Sequence, residues 1–313
     1  MSMEYRKSVS VLIPCYNEEQ SLLPLFESLT AFTATQSAYD WQFLFVNDGS
    51  TDGTLDVIRQ LRQRDGRVCY VSLSRNFGKE NAMLAGFDHV SGDCTVIMDA
   101  DMQHPPVVIG DMLQKWEEGF QDVYAKRITR GKESFLRRNF TKCYYKILQK
   151  MSETEVLSNV GDFRLLDRKC INALKSLRET QRYTKGLYCW IGFRKTFVMF
   201  EQQARTEGKS SFNYAKLINL AIEGITSNST TPLRIATFMG IVISFLAFVY
   251  MCFVLIRTLI IGEPVQGFPT LIITILFLGG LQLLSIGVIG EYLGRIFRET
   301  KNRPAYIVDE MEV

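Results

Sequence analysis

Thr95-Val-Ile-Met-Asp99-Ala-Asp101-Met-Gln103-His-Pro-Pro106 decides how this chain is read. Four residues of strand character run into two carboxylates spaced i, i+2, and Pro105 and Pro106 forbid the strand from continuing. In an extended backbone such residues share a face, roughly 6–7 Å apart. Two like charges held that close repel unless a cation or a proton intervenes. Hard oxygen ligands suit Mg2+ or Mn2+, ions that keep open positions for phosphate oxygens. A solvated Asp-Ala-Asp turn is the alternative that this stretch alone leaves open.

Upstream, strands and helices alternate. Val9–Pro14, Trp41–Val46, Arg67–Leu73 and Cys94–Met98 read as short buried strands. Glu18–Ala34, Thr54–Arg64 and Lys79–Val90 read as helices. That alternation predicts βαβ units and a mostly parallel sheet covered on both faces. Ligands of such sheets bind beyond the carboxyl ends of the strands. Four of those ends are polar here: Tyr16/Asn17/Glu18, Asp48 to Asp52, Arg75/Asn76 and Asp99/Asp101/Gln103. A dinucleotide-binding fold needs a Gly-rich turn after the first strand. The turn here is Pro14-Cys-Tyr-Asn-Glu18, which argues against a dehydrogenase.

Composition shifts near Thr231. Ile235–Ile256 and Phe268–Gly290 carry no charged residue, and each meets the roughly 20-residue requirement for a membrane-spanning helix. The predicted division is a soluble domain over 1–230, then 231–313 with spans at about 233–261 and 267–292 and a short tail. The connecting loop Gly262–Gly267 has no Lys or Arg, whereas Arg234, Arg295, Arg298, Lys301 and Arg303 flank the other ends. The positive-inside bias therefore puts the large domain and both termini in the cytoplasm of a multi-pass protein of the plasma membrane. Arg257, near the outer end of the first span, can snorkel. Met1–Ser8 leads straight into a strand, so no signal peptide is expected. Seven scattered cysteines without a CxxC pair fit reduced thiols rather than zinc or disulfides. The net charge of +3 is too small to mean much globally, and no nucleic-acid partner is expected.

Ile13-Pro-Cys-Tyr-Asn-Glu18, Asn47-Asp-Gly-Ser-Thr-Asp52, Ser74-Arg-Asn-Phe-Gly-Lys79, the Asp99-Ala-Asp101-Met-Gln103 run and Gly161-Asp-Phe-Arg-Leu165 occur in that order. Together with paired C-terminal spans and Gly290-Glu-Tyr-Leu-Gly-Arg295, they closely resemble family-2 glycosyltransferases of the GT-A fold. The resemblance is greatest to the bacterial polyprenyl-phosphate glycosyltransferases, such as the bactoprenol glucosyltransferases that serve O-antigen glucosylation. It implies a nucleoside diphosphate sugar donor, UDP-glucose first among them, and an undecaprenyl phosphate acceptor, joined with inversion to give a lipid-linked monosaccharide. It matches Pro14, Tyr16, Glu18, Asp48, Asn76 and Lys79 to the nucleotide, and Asp99, Asp101 and Gln103 to the metal and diphosphate. Asp162 matches the position often called the catalytic base, although a lipid phosphate is already ionised near neutral pH. Arg127 and Arg205 match arginines thought to engage phosphate. Ser211 stands where the family often has lysine, and Lys209 is the substitute. Other donors (UDP-GlcNAc, a modified pentose, GDP-mannose) stay open, as does a processive polysaccharide synthase. The Gln-x-x-Arg-Trp motif of such synthases is missing from Gln181-Arg182-Tyr183.

An acceptor phosphate must reach this site from the bilayer. Phe135–Met151 combines an apolar stripe (Leu136, Phe140, Tyr144, Ile147, Met151) with Arg137, Arg138, Lys142, Lys146 and Lys150, which predicts an interfacial helix over about 133–151. A second juxtamembrane helix is predicted over 212–228. Membrane lipids are thus expected partners, and relatives with two spans imply a homo-oligomer, a tetramer among the options.

Overall fold

The computed structural model describes residues 6–128, 160–180, 182–201 and 267–313, with scattered positions between 233 and 260. The predicted helices at 133–151 and 212–228, and with them Arg205 and Lys209, lie outside the described residues. Positions described between 233 and 260 are helical. The chain forms two units, the first containing the sheet together with Arg303–Val313 and the second containing Asn219–Asn302.

In the first unit, β1 (Lys7–Cys15), β2 (Tyr39–Asn47), β3 (Val68–Leu73) and β4 (Cys94–Ile97) alternate with α1 (Glu19–Ala34), α2 (Thr54–Arg64) and α3 (Lys79–His89). These strands are buried along most of their length because both faces are covered, and successive residues feed opposite cores. Val9, Val11, Ile13, Phe43 and Phe45 pack with α1, α2 and α4 (Val108–Glu117). Leu12, Leu44, Val46 and Ile97 pack on the other side with α3, α5 (Arg168–Ser176) and α6 (Thr184–Trp190). α3 lies so close to β1 that a Cβ on Gly86 would come within 2.1 Å of Leu12 Cδ1. That contact fixes where the first residues of α3 emerge.

The remaining strands are β5 (Asp122–Arg127), β6 (Val160–Asp167), β7 (Lys195–Phe200) and β8 (Val308–Glu312), giving an eight-stranded sheet ordered β7-β5-β6-β4-β1-β2-β3-β8. The expected parallel pairing holds through the central block β4-β1-β2-β3 and again between β5 and β7. β6 runs antiparallel to both β4 and β5, and β8 runs antiparallel to β3, so the sheet is mixed. The reversal matters for the site. An antiparallel β6 begins where β4 ends, with Arg164 opposite Ile97, and so carries Gly161 and Asp162 to the carboxyl ends of the parallel strands.

The C-terminal residues, expected as a short tail, instead close the β3 edge of the sheet. β8 pairs with β3 there, Glu310 and Glu312 meet Arg59 and Arg62, and Tyr306 donates to Asp88 at 2.6 Å.

In the second unit, α7 (Phe268–Thr300) overruns the span expected at 267–292 and continues through Arg295 and Arg298. At 1.5 Å per residue its 33 residues extend about 50 Å, well beyond a bilayer's apolar core of roughly 30 Å. Among the described residues one helix, over Phe277–Thr300, is long and apolar enough to cross a membrane by length and composition.

Candidate active site

Beyond the carboxyl ends of β1, β2 and β4 lies a cavity of about 320 Å³. Its lining includes Pro14, Tyr16, Glu18, Asp48, Asn76, Lys79, Asp99 and Asp101, eight residues singled out from the sequence, together with Cys15, Gly78, Ala82 and Ala100. Two loops build its floor by binding one another. Asn17, in the left-handed region at φ 55°, accepts from Thr51 N, and its own N–H donates to Ser50 Oγ. Gly49 (φ +61°) brings the loop after β2 against the one after β3, where a Cβ would stand 2.2 Å from the Arg75 carbonyl carbon. Only glycine fits there.

Asp48 is expected at the nucleotide. Its two carboxylate oxygens accept from Phe77 N (2.7 Å) and Gly78 N (2.9 Å), so it shapes the loop that presents Asn76 and Lys79. Burial raises its pKa against those amides. Tyr16 is 45% exposed, leaving its ring available as a wall of the cavity.

The acidic residues do not lie on an extended strand. β4 ends at Ile97, and Asp99-Ala100-Asp101 forms a turn closed by Met102 at φ +61°. A non-glycine residue in that region costs free energy that the surrounding contacts must offset. One such contact is His104, whose Nδ1 accepts from Asp99 N at 3.4 Å. Its ring stacks on Phe163 (4.6 Å) and meets Phe200 edge-on (5.9 Å). Burial lowers the imidazole pKa, which keeps the ring neutral and able to accept. Asp101 Oδ1 in turn accepts from Gln103 N at 3.2 Å.

Lys79, the first residue of α3, connects the turn to β6. Its Nζ lies 2.5 Å from Asp99 Oδ1 and 2.9 Å from Asp162 Oδ2. Burial opposes the ammonium, but the two carboxylates outweigh it and raise the lysine pKa above its ordinary value. Asp162 is 8% exposed, and its Oδ1 has no hydrogen-bond partner among the described residues. Burial raises its pKa, yet Lys79, Lys185 and Arg164 prevail and hold it below the usual carboxylate range. Arg164, on the same face of β6, pairs with buried Asp122 and lies 3.6 Å from the Tyr188 ring centroid. Glu80 accepts from Thr184 N at 2.9 Å and from the Thr184 hydroxyl, tying α6 to α3.

Arg127 ends β5 beside this group, its Nη2 being 3.8 Å from where a Gly161 Cβ would stand. The Lys79 bridge, His104 and Glu80 were not singled out from the sequence. Two charges spaced i, i+2 in apolar β6, Asp162 and Arg164, were the one signal that a buried polar network lay on that face.

Among the described residues no group of three or more His, Cys, Asp or Glu forms a ready-made metal cage. Asp99 and Asp101 nevertheless offer two hard carboxylates at the cavity, with Gln103 next to them. That donor set fits Mg2+ or Mn2+ as a partial shell completed by ligand oxygens.

Residues 10–174 match the model of the family described as glycosyl transferase family 2. This chain belongs to that family. A glycosyltransferase of Synechocystis sp. is 44% identical over 303 residues, 97% of this chain and 95% of its own length. The SfII prophage-derived bactoprenol glucosyl transferase of Shigella flexneri is 42% identical over 300 residues, 96% of this chain and 97% of its own. The prophage bactoprenol glucosyl transferase homolog of Escherichia coli is 40% identical over 304 residues, 97% and 99% respectively. The family match covers β1 through most of α5, the part of the chain that lines the cavity. The α/β sheet with its mixed edge is accordingly a GT-A-like fold.

Proposed function

We propose that this family-2 glycosyltransferase transfers a glucosyl residue, with inversion, from UDP-glucose to undecaprenyl phosphate at the cytoplasmic face of a bacterial plasma membrane. The observation that carries this reading is the pairing of Asp99 and Asp101 at one cavity beyond the parallel strand ends. Relatives named for glucosyl transfer to bactoprenol, similar over nearly the whole chain, supply its substrates. A 33-residue helix whose first two thirds carry no charge fits a protein whose acceptor is a membrane lipid.

Pro14, Tyr16, Glu18, Asp48 and Asn76 line the side of the cavity assigned to the nucleotide. Asp99, Asp101 and Gln103 would hold Mg2+ or Mn2+, which when bound offsets charge developing on the leaving diphosphate. Arg127, with Arg205 and Lys209, is assigned to phosphate groups through charge-assisted hydrogen bonds. Asp162 is assigned an electrostatic task. A carboxylate held ionised by neighbouring cations is a weak base, and a phosphate acceptor brings no proton that must be removed.

Full-length protein purified in detergent and incubated with Mg2+, labelled UDP-glucose and polyprenyl phosphate is expected to yield a lipid-linked monosaccharide. Label appearing as a polymer, or only as free glucose, would overturn the assignment.

A further inference from the structure

We infer that the Lys79 ammonium is the resident counter-cation of the acidic turn, and that it exchanges Asp99 for a phosphate oxygen when a divalent ion takes that carboxylate. The inference rests on the metal reading above and assigns Lys79 its part in it.

Three observations lead there. Lys79 Nζ contacts both Asp99 and Asp162, at 2.5 and 2.9 Å, so one ammonium is shared between two carboxylates. These carboxylates are unequal. Asp99 lines the open cavity, whereas Asp162 is more than nine-tenths buried and its Oδ1 lacks a partner among the described residues. The backbone beneath Lys79 is fixed, because Gly86 packs directly on Leu12 of β1 and leaves α3 little room to slide.

A divalent ion on Asp99 competes for that oxygen with an ammonium at contact distance, since the two positive charges repel at such a separation. The ion wins the exposed carboxylate, where ligand oxygens can complete its shell. Lys79 keeps Asp162, because leaving would strand a buried carboxylate without its nearest cation. An ammonium carries three donors, and only one is needed for Asp162. The remainder then face the cavity, where the anionic oxygens are those of a donor diphosphate or an acceptor phosphate. A lysine side chain is an ammonium near neutral pH, so Lys79 stays charged throughout. The site thus carries a built-in cation when empty and adds a second only when ligand arrives.

The test measures Mn2+ binding to the full-length protein, without nucleotide, by the electron paramagnetic resonance signal of free Mn2+. Lys79→Gln removes the competitor and is expected to tighten Mn2+ about tenfold, while Lys79→Arg, which retains the charge, stays near wild type. Equal or weaker Mn2+ binding by Lys79→Gln overturns the exchange while leaving the metal site standing. Failure of wild type and variant alike to bind Mn2+ overturns the metal reading itself. At saturating Mn2+, Lys79→Gln is further expected to weaken UDP or to raise KM for polyprenyl phosphate. The first outcome identifies the diphosphate as the phosphate source, the second the acceptor. No change in either would overturn the phosphate half of the inference.

Discussion

Arg164 and Asp122 form an ion pair almost sealed from solvent, with Nη1 3.1 Å from Oδ2 and 2% of each side chain exposed. It joins β6 to β5 directly behind Asp162, and the Tyr188 ring covers the guanidinium. Removing one partner of such a pair leaves an uncompensated buried charge and costs about 3–5 kcal/mol, more than a well-packed apolar replacement of both. Arg164→Met is therefore expected to unfold at markedly lower denaturant, and Arg164→Met/Asp122→Leu to regain most of the loss. Burial already raises the Asp122 pKa, so the single variant should recover as pH falls and Asp122 takes a proton. Equal stabilities for single and double variants would refute the argument. Denaturant titration of the detergent-solubilised chain makes the comparison.

Asp99→Asn and Asp101→Asn each remove one of two hard ligands at the cavity. Initial rates of lipid-linked sugar formation are expected to fall at least about a hundredfold for either. Gln103→Ala, which removes a neutral oxygen, should cost less. Near-normal turnover in the double aspartate variant would show that neither carboxylate serves the reaction.

Asp162 offers a pH test. Lys79, Lys185 and Arg164 hold its pKa below the usual carboxylate range despite burial, so it is ionised across an assay range of about pH 5.5 to 8.5. It can contribute no acidic limb there. The kcat/KM profile of Asp162→Asn should run parallel to wild type and lie about ten- to a hundredfold lower, through loss of the Lys79 anchor. A wild-type limb that vanishes in the variant would restore a base.

Much of this site is legible in the sequence because its residues sit at strand ends. Apolar runs such as Val9–Ile13 and Phe43–Val46 have the continuous burial of a two-faced parallel sheet, and the polar residue following each run lands at one edge. Tyr16, Asp48 and Asp99 are found that way. The conformation after β4 is not legible so, since an i, i+2 pair is equally compatible with an extended strand and with the turn that Met102 closes. Nor is the direction of β6. A short apolar strand looks alike in either orientation, and only its antiparallel registry places Asp162 against Lys79. The acidic C-terminus reads as a solvated tail until Arg59 and Arg62, distant in sequence, pair with it.

Asp88 predicts an acid-sensitive contact. It accepts from Arg178 through both oxygens, at 2.7 and 2.8 Å, and from the Tyr306 hydroxyl. Burial opposes its charge, but these partners lower its pKa below 3.8. A depressed carboxylate contributes stability that is complete above its unfolded pKa and is lost as pH falls through the lower folded value. Asp88→Asn should thus lower Tm near neutral pH, and the gap to wild type should narrow as pH falls below the ordinary aspartate value. A gap that widens on acidification would mean the partners do not stabilise the charged form.

β8 predicts what happens when the sheet edge is opened. Without Val308–Glu312, β3 would present unpaired N–H and C=O groups along Tyr70–Leu73, and a bare, apolar edge of this kind templates pairing with another chain. The Arg59–Glu310 and Arg62–Glu312 pairs are largely exposed and add little by themselves, so the strand pairing is what holds the tail in place. A chain ending at Arg303 is expected to fold with lower Tm and to self-associate with rising concentration, whereas Glu310→Gln/Glu312→Gln should stay close to wild type. Sedimentation velocity in detergent separates the two cases. If the truncated chain matched wild type in both Tm and sedimentation, β8 would have no part in protecting the edge.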